Sequence, residues 1–276
     1  MSLNKQKVVL ITGASAGIGK ATVNLLLNEG FIVYGAARRV EHMKDIESKG
    51  ARIISMDVTD ELSMKNGVDQ IIKEQGRIDV LFNNAGYGSY GAVEDVPLEE
   101  ARRQFEVNLF GLSRLTQLVL PYMRKQKSGK IINTSSAGGK VYTLLGAWYH
   151  AAKHALEGYS DCLRVEVKPF GIDVIIIEPG ATESEWSGVV LEHVQKTSGN
   201  TAYGKLATAF VETLKQMEKS STLYSPDRIA QLVSKAIHTK KPKTRYVAGN
   251  ARPVLFMRKI LSDRMFDRVL YQMFKI

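Results

Sequence analysis

Short apolar runs alternate with longer stretches of helical periodicity along most of this chain. Residues 8–11 form a continuous apolar run rich in β-branched side chains, which indicates a buried strand. Similar strand patterns recur at residues 31–36, 52–56, 80–82, 130–134, 173–178 and 245–248. Because helical patterns separate these runs, the sequence predicts one α/β domain over residues 1–276, with helices on both faces of a parallel sheet.

The longest predicted helix covers residues 98–125 and contains two residues that disturb helices. Asn108 lies near its middle, where asparagine is unfavourable, and its apolar neighbours indicate burial and a local distortion. Pro121 removes a backbone donor, so a kink or an early end of the helix is expected there.

Two segments that follow the sixth strand lack the regular alternation. Residues 181–225 contain amphipathic pieces and a polar break beyond a strand's carboxyl end, so we expect a substrate-binding flap over the ligand crevice. Residues 250–276 form a basic, amphipathic helical extension, which Ser262 and Asp263 divide into two short helices. Such a face can attach to a membrane surface, but packing on the protein's own pocket or on a partner subunit is its more common use.

The composition bounds the partners and the compartment. The chain of 276 residues is 44% hydrophobic and carries a formal net charge of +10, which could attract a polyanion, a membrane surface or a phosphorylated cofactor. The basic residues are scattered and no nucleic-acid module is recognisable, so nucleic acid is not an expected partner. The single cysteine, Cys162, excludes an internal disulfide. No apolar run is long enough for a membrane span or an export signal, so the expected location is cytoplasmic.

Five histidines are spread along the chain without the spacing of a metal site. His150 and His154 are one helical turn apart, but no third ligand stands nearby in the sequence. The sequence therefore predicts no metal centre, and it favours a surface or interface role for this pair.

The first strand leads into the glycine-containing turn Thr12-Gly13-Ala14-Ser15-Ala16-Gly17-Ile18-Gly19. Glycines permit a tight turn and a close approach of the backbone to a pyrophosphate, which would lie at the positive N-terminus of the following helix. The spacing departs from G-x-G-x-x-G, but the position between a strand and a helix strengthens the signal. The predicted cofactor contacts of this turn are Gly13, Ser15, Gly17, Ile18 and Gly19.

The end of the second strand indicates which dinucleotide binds. A carboxylate there would bind the 2′-hydroxyl of NAD, whereas a basic residue would accept the 2′-phosphate of NADP. Here the carboxylate is missing, and Arg38 and Arg39 follow the strand, which predicts NADP(H). After the third strand, Asp57, next to Val58, could accept a hydrogen bond from the adenine amino group or could cap the following helix.

Residues 130–158 carry the candidate chemistry. A strand ends at Ser135-Ser136, and the next helix carries Tyr149 and, one turn later, Lys153 on the same face. An unperturbed tyrosine has a pKa of about 10, so a neighbouring ammonium group would lower the pKa and make the phenol a usable acid or base. Ser136 could hold a carbonyl oxygen beside the phenol. A Tyr-x3-Lys pair also occurs by chance in helices. The hypothesis that Tyr149 acts as an acid or base therefore depends on the combination of this pair with the upstream motifs.

Together these motifs resemble the short-chain dehydrogenase/reductase family over roughly residues 5–250. The shared pieces are Thr12-Gly13-x3-Gly17-x-Gly19, Asn83-Asn84-Ala85-Gly86, Asn108, Ser136, Tyr149-x3-Lys153 and Pro179-Gly180. The resemblance implies a single-domain Rossmann fold, with a doubly wound parallel sheet of about seven strands. It also implies a nicotinamide-dependent oxidoreductase that assembles as a homodimer or homotetramer.

The resemblance also implies residue roles. Tyr149 would be the acid in carbonyl reduction and the base in alcohol oxidation. Lys153 would lower the pKa of Tyr149 and bind the nicotinamide ribose. Ser136 would orient the substrate oxygen, and Asn108 would hold a water behind Lys153. The further implied cofactor contacts are Asn84, Ala85, Gly86, Tyr149, Lys153, Pro179, Gly180, Thr182 and Ser184, of which Ser184 stands where the family often has a threonine.

The resulting expectation is an NADP(H)-dependent short-chain alcohol dehydrogenase or carbonyl reductase. Its substrate would be a mainly apolar small molecule that is steroid-, retinoid- or acyl-like, because Arg38 and the C-terminal extension give a softer likeness to members acting on lipophilic alcohols. The alternative from another class is a non-catalytic NADP(H)-binding redox sensor or scaffold. Loss of Tyr149 or Lys153 would favour that alternative, and both residues are present.

Overall fold

The computed structural model describes residues 6–182, 185–219, 223–249 and 251–276. Across this part of the chain, a seven-stranded parallel sheet has the order β3-β2-β1-β4-β5-β6-β7. The strands are β1 Val8–Thr12, β2 Ile32–Ala37, β3 Arg52–Ser55, β4 Val80–Asn83, β5 Gly129–Thr134, β6 Ile172–Pro179 and β7 Arg245–Ala248. All predicted strands are confirmed, with ends that differ by one residue at most. The order reverses between β1 and β4, where a sheet of this kind forms its ligand crevice.

Helices cover both faces of the sheet. One face carries α1 (Gly17–Asn28), the short α2 (Lys44–Glu47) and α9 (Pro226–His238). The other face carries α3 (Glu61–Gln75), α5 (Leu112–Gln126) and α6 (Ala147–Val167). The short helix α4 (Leu98–Phe105) comes before α5 in the chain. The helices α7 (Glu185–Ser198), α8 (Gly204–Lys219), α10 (Ala251–Ile260) and α11 (Asp263–Phe274) come after strands β6 and β7, beyond the carboxyl edge of the sheet.

The continuous apolar character of β1 follows from burial on both sides. Val9 and Ile11 pack in the cluster formed with α1 and α9, whereas Val8 and Leu10 pack in the cluster formed with α3 and α5. Successive strand residues point to opposite faces, so a strand covered on both faces needs apolar residues at every position.

Asp60 fixes the start of α3. Its side chain accepts hydrogen bonds from the backbone N–H groups of Leu62 and Ser63. Asp57 instead accepts from the backbone N–H and the hydroxyl of Thr59, at 2.9 and 2.8 Å. The alternative in which Asp57 caps this helix is therefore wrong, because the carboxylate of Asp60 occupies the N-cap position.

A π-helical turn interrupts the predicted helix over residues 98–125. It covers Glu106–Gly111, between α4 and α5. Asn108 lies in this turn and is completely buried, so the predicted local distortion is confirmed. Its Nδ2 donates to the carbonyl of Tyr87 at 2.8 Å, and its Oδ1 accepts from the N–H of Tyr87 at 3.1 Å. The wide turn thus directs a polar side chain away from its own helix and onto a neighbouring loop.

Pro121 does not end α5, which continues to Gln126. The expected early end of the helix is therefore wrong. Pro121 lies on the exposed side of α5, where water can satisfy the carbonyl that the missing N–H leaves without a partner.

The C-terminal extension forms the two predicted helices, α10 and α11; Leu261 and Ser262 separate them, and Asp263 is already the first residue of α11. Phe266, Leu270 and Phe274 of α11 are buried in a third apolar cluster, which also contains Tyr149 and Phe210. Of the two expected kinds of packing, the structure shows the one on the chain itself, beside Tyr149. None of the helices in the described ranges has both the length and the apolar character that crossing a bilayer requires.

Candidate active site

The turn after β1 brings the backbone unusually close to α1. Gly13 has a φ of 67°, in the left-handed region that favours glycine. A Cβ atom added to Gly19 would lie 2.2 Å from the carbonyl oxygen of Gly13. Ala16, at the N-cap of α1, provides no side-chain hydrogen bond to the first helical turn. The N–H groups of this helix end are therefore available to a phosphate group.

We expect Gly19→Ala to destabilise the fold by about 1–3 kcal/mol, because the new methyl group would overlap the Gly13 carbonyl and force the turn to move. Gly158→Ala is the matched control, since a Cβ there meets no atom within 4 Å. The free energy of unfolding of the control should rise by roughly 0.5–1 kcal/mol, because Gly158 lies inside α6 and alanine is more favourable than glycine within a helix. Thermal unfolding measures both variants, and equal Tm values for the two would contradict the account of this turn.

A cleft of about 610 Å³ extends from the glycine turn to Tyr149. The predicted site residues that line it are Gly13, Ser15, Gly17, Ile18, Arg38, Arg39, Asp57, Val58, Asn84, Ala85, Gly86, Ser136, Tyr149, Lys153, Pro179, Gly180 and Thr182. Two others stand behind the lining: Gly19 lies under the turn, and Asn108 lies next to Gly86. Ser184 lies outside the described residues. One continuous cleft therefore joins the glycine turn, the Arg38 region and the Ser136, Tyr149 and Lys153 group.

The turn after β4 ties two central strands together. The backbone N–H groups of Asn84 and Ala85 both donate to the Thr12 hydroxyl, at 3.0 Å. The side chain of Asn84 also donates to the Thr12 carbonyl, at 3.2 Å. This turn therefore braces the sheet, while Ala85 and Gly86 also line the cleft.

Arg38 and Arg39 line the cleft where β2 ends. The side chain of Arg38 is 64% exposed, and its Nη1 lies 3.9 Å from the Asp57 carboxylate. At this exposure and distance the ion pair is weak, so the guanidinium can bind an anion from solution.

A second group of polar residues, which no sequence motif indicates, also lines the cleft. The Tyr87 hydroxyl donates to Glu100 at 3.0 Å, and the Arg103 guanidinium lies 6.0 Å from the Tyr87 ring centroid. Burial, followed by the charge of Glu100, raises the pKa of Tyr87 well above its usual value. Glu100 and Arg103 come from α4, and no local motif marks either as a site residue, so only the folded arrangement identifies them.

Tyr149 and Lys153 lie on one face of α6, as predicted, but burial controls their protonation. Burial raises the pKa of Tyr149 to about 12, and a hydrogen bond with the Ser136 hydroxyl acts in the opposite direction. The Lys153 Nζ lies 6.0 Å from the centroid of the Tyr149 ring and donates to the Thr134 carbonyl at 2.8 Å. The predicted fall in the pKa of Tyr149 is therefore wrong for this structure, because desolvation of the phenolate outweighs the other effects. Burial likewise lowers the pKa of Lys153 to about 8.

His150 holds the loop that precedes α6. Its Nδ1 lies 2.9 Å from the Gly138 carbonyl, and its Nε2 accepts from the Thr143 N–H at 3.1 Å. Burial lowers the pKa of His150, so the ring is neutral, with the proton on Nδ1. The predicted surface role is wrong for His150, since residues 137–146 fold over its ring; His154, one turn later, is exposed as expected.

A buried acidic pair joins α6 to β6. Glu157 of α6 and Glu178 of β6 are both nearly inaccessible, and Arg245 approaches their carboxylates at 2.9 and 3.3 Å. Burial and then the negative charge of Glu157 raise the pKa of Glu178 to about 7. Ionising Glu178 therefore destabilises the folded protein.

We expect Glu178→Gln to raise Tm at neutral pH and to flatten its dependence on pH. Since the folded-state pKa lies above the unfolded value, the destabilisation is absent below about pH 4.5, grows as pH rises and is complete above about pH 7. The Tm difference between the variant and the unchanged protein should therefore widen between about pH 5 and about pH 8. If the Tm difference instead became smaller between about pH 5 and about pH 8, the raised pKa of Glu178 would be contradicted.

The chain is similar to known oxidoreductases over nearly its whole length. A model of the short chain dehydrogenase family matches residues 7–195. The chain is 39% identical to the 3-ketodihydrosphingosine reductase of Bacteroides thetaiotaomicron, with 96% of each protein covered. It is 33% identical to the NADPH-dependent 3-dehydrocapnine reductase of Ornithobacterium rhinotracheale, again with 96% of each covered. A solved short-chain dehydrogenase from Streptomyces avermitilis is 33% identical and superposes with a TM-score of 0.79, covering 100% of this chain and 97% of that one. The protein therefore belongs to the short-chain dehydrogenase family of oxidoreductases.

Proposed function

We propose that this protein reduces a ketone on a mainly apolar small molecule, with NADPH as the hydride donor. The observation that carries the proposal is the hydrogen-bonded pair of Ser136 and Tyr149 hydroxyls in a cleft that continues to Arg38. Two hydroxyls at one position can both donate to a carbonyl oxygen. Such donors stabilise the negative charge that develops on this oxygen when a hydride adds to the carbon.

The cleft fits a dinucleotide that carries a 2′-phosphate. The N–H groups at the start of α1 are available to a pyrophosphate, and the exposed guanidinium of Arg38 stands where the 2′-phosphate would lie. The similar reductase of Ornithobacterium rhinotracheale is NADPH-dependent by name. When bound, NADPH supplies the hydride, and the protein supplies position and protonation. Lys153 would hold the nicotinamide ribose with its ammonium group.

The protonation of Tyr149 suits the direction of reduction. With its pKa raised to about 12, the phenol carries its proton at neutral pH and can donate it to the substrate oxygen. Lys153 is positively charged below its pKa of about 8 and would stabilise the phenolate that remains. Asn108 fixes the backbone of Tyr87 through two hydrogen bonds, and we propose that it also holds a water behind Lys153.

The surroundings of Tyr149 favour an apolar substrate. Tyr149 belongs to the third apolar cluster together with Tyr90, Val190 and Phe210, and Val189 and His193 of α7 line the cleft. We therefore assign the segment over residues 181–225 as the substrate-binding flap. Two relatives are named as reductases of 3-ketodihydrosphingosine and of 3-dehydrocapnine, which supports a long-chain ketone as the substrate.

NADPH oxidation with a panel of carbonyl compounds tests this proposal. The panel contains 3-ketodihydrosphingosine, a ketosteroid, retinal, a 3-oxoacyl thioester and a short aldehyde. We expect the highest kcat/KM with the long-chain ketone, and mass spectrometry should identify the alcohol product. Preference for the short aldehyde would overturn the apolar substrate. Binding of NADPH without turnover of any compound would favour the non-catalytic alternative.

A further inference from the structure

The two C-terminal helices have a second side, which faces away from the third apolar cluster. On α10, Phe256 and Ile260 are one turn apart and are 64% and 61% exposed. On α11 and directly after it, Met265, Tyr271 and Ile276 are 50%, 53% and 46% exposed. We call the exposed side chains of α10, α11 and the last two residues the outer tail face. Large apolar side chains that are grouped and exposed mark a contact surface more often than scattered ones do.

Basic side chains accompany these apolar ones. Lys259 lies beside Ile260 on α10, and Arg264 and Arg268 are one turn apart on the exposed side of α11. Lys275 follows the end of α11 and is also exposed. Residues 251–276 contain six basic and two acidic side chains, so the segment is strongly positive.

The acidic side chains of the tail do not neutralise Arg264 and Arg268. Asp267 accepts a hydrogen bond from the Tyr142 hydroxyl at 2.8 Å, and Asp263 forms its ion pair with Arg258 at 2.8 Å. Within the described residues, no carboxylate forms an ion pair with Arg264 or Arg268. The outer tail face therefore combines exposed apolar groups with exposed positive charge.

We propose that the outer tail face docks the protein on an anionic lipid bilayer. Amphipathic helices with basic residues beside exposed aromatic and aliphatic side chains lie in the headgroup region, with their apolar groups inserted by about 5–10 Å. Anionic lipids attract each Lys or Arg that reaches the surface. A second copy of this chain is a less suitable occupant, because it brings the same basic face and a net charge of +10 to the contact.

The tail can dock without leaving its place in the fold. Phe266, Leu270 and Phe274 anchor the inner side of α11, and they are only 2%, 7% and 3% exposed. The outer side chains can therefore enter the headgroup region while the inner ones stay packed. In this orientation the third apolar cluster, which contains Tyr149, lies directly beneath the docked helices.

Vesicle flotation of the full-length protein tests the proposal. Vesicles of phosphatidylcholine mixed with phosphatidylglycerol should bind the protein at low salt, and vesicles of phosphatidylcholine alone should bind it much more weakly. Arg264→Gln with Arg268→Gln should weaken binding to the anionic vesicles by about 30-fold. High salt should reduce binding by the unchanged protein, because salt screens exposed charges.

The control pair is Lys240→Gln with Lys241→Gln, which removes the same net charge. Both lysines are exposed and lie in the connection from α9 to the start of β7, so they are near the amino edge of the sheet, opposite the edge from which the tail continues. This pair should leave vesicle binding nearly unchanged. Equal losses in the two pairs would show attraction to net charge alone and would overturn docking by the tail.

A second variant tests the apolar contribution. Phe256→Ser with Ile260→Ser changes only exposed side chains and should weaken binding to anionic vesicles by about tenfold. Unchanged binding by this variant would overturn the proposal. Light scattering without vesicles measures the oligomeric mass of the same variant. A lower mass than that of the unchanged protein would show that the outer tail face is an interface between copies of the chain, and would overturn lipid docking.

Discussion

Replacement of Tyr149 by phenylalanine is expected to lower kcat by about 10³-fold, because the variant lacks the proton that the proposed reduction transfers to the substrate oxygen. The aromatic ring would still fill its place in the third apolar cluster, 5.5 Å from the Tyr90 ring centroid. The fold and the cofactor cleft should therefore be retained. NADPH oxidation measures the rate, and the change in NADPH fluorescence on binding measures the affinity.

Tyr159→Phe is the matched control for this experiment. Tyr159 lies on the same helix, ten residues further along, and packs against the apolar cluster formed with α3 and α5 rather than in the third cluster. The Tyr159→Phe variant also loses a phenol hydroxyl group, but it should retain turnover. Substantial activity in Tyr149→Phe would refute the mechanism, whereas loss of NADPH binding in that variant would show that the ring supports the cofactor site.

Replacement of Arg38 by glutamine is expected to raise the KM for NADPH by about 10- to 100-fold and to leave the KM for NADH nearly unchanged. Hydrogen bonds to a charged partner contribute about 1.5–3 kcal/mol, and the 2′-phosphate exists only on NADPH. Because the Arg38 side chain is 64% exposed, its loss should leave Tm almost unaffected. Steady-state kinetics with both cofactors measures the effect.

Arg103→Gln provides the comparison, since Arg103 lines the same cleft from α4. If Arg103 rather than Arg38 binds the 2′-phosphate, the comparison variant will lose the preference for NADPH instead. Equal affinity of the unchanged protein for NADH and NADPH would remove both Arg38 and Arg39 from this role.

Most of the candidate site could be predicted from the sequence because its residues follow the ends of strands. Arg38 follows β2, Ser136 follows β5 and Pro179 ends β6, and the carboxyl ends of parallel strands meet at one edge. The strands themselves are continuous apolar runs bounded by polar residues, so their positions could be predicted to within one residue. The positions of the strand ends in the sequence are therefore enough to predict which of these side chains come together.

The pKa of Tyr149 could not be predicted in the same way. The direction of the shift depends on burial, and the burying groups come from distant segments: the Tyr90 ring lies 5.5 Å from the Tyr149 ring and packs in turn on Phe210 of α8. The interpretation of His150 as a surface residue failed for the same reason, because the loop over residues 137–146 covers it. Local periodicity shows which face of a helix a residue occupies but not what packs over that face.

The π-helical turn over Glu106–Gly111 makes the position of Asn108 depend on chain length as well as on residue identity. A chain one residue shorter between α4 and α5 could form a single regular helix, with every backbone hydrogen bond in the usual register. In that chain the asparagine would rotate away from the Tyr87 loop, although no residue type near the cleft had been altered. Insertions and deletions in this segment are therefore as important as substitutions when the activity of related sequences is judged.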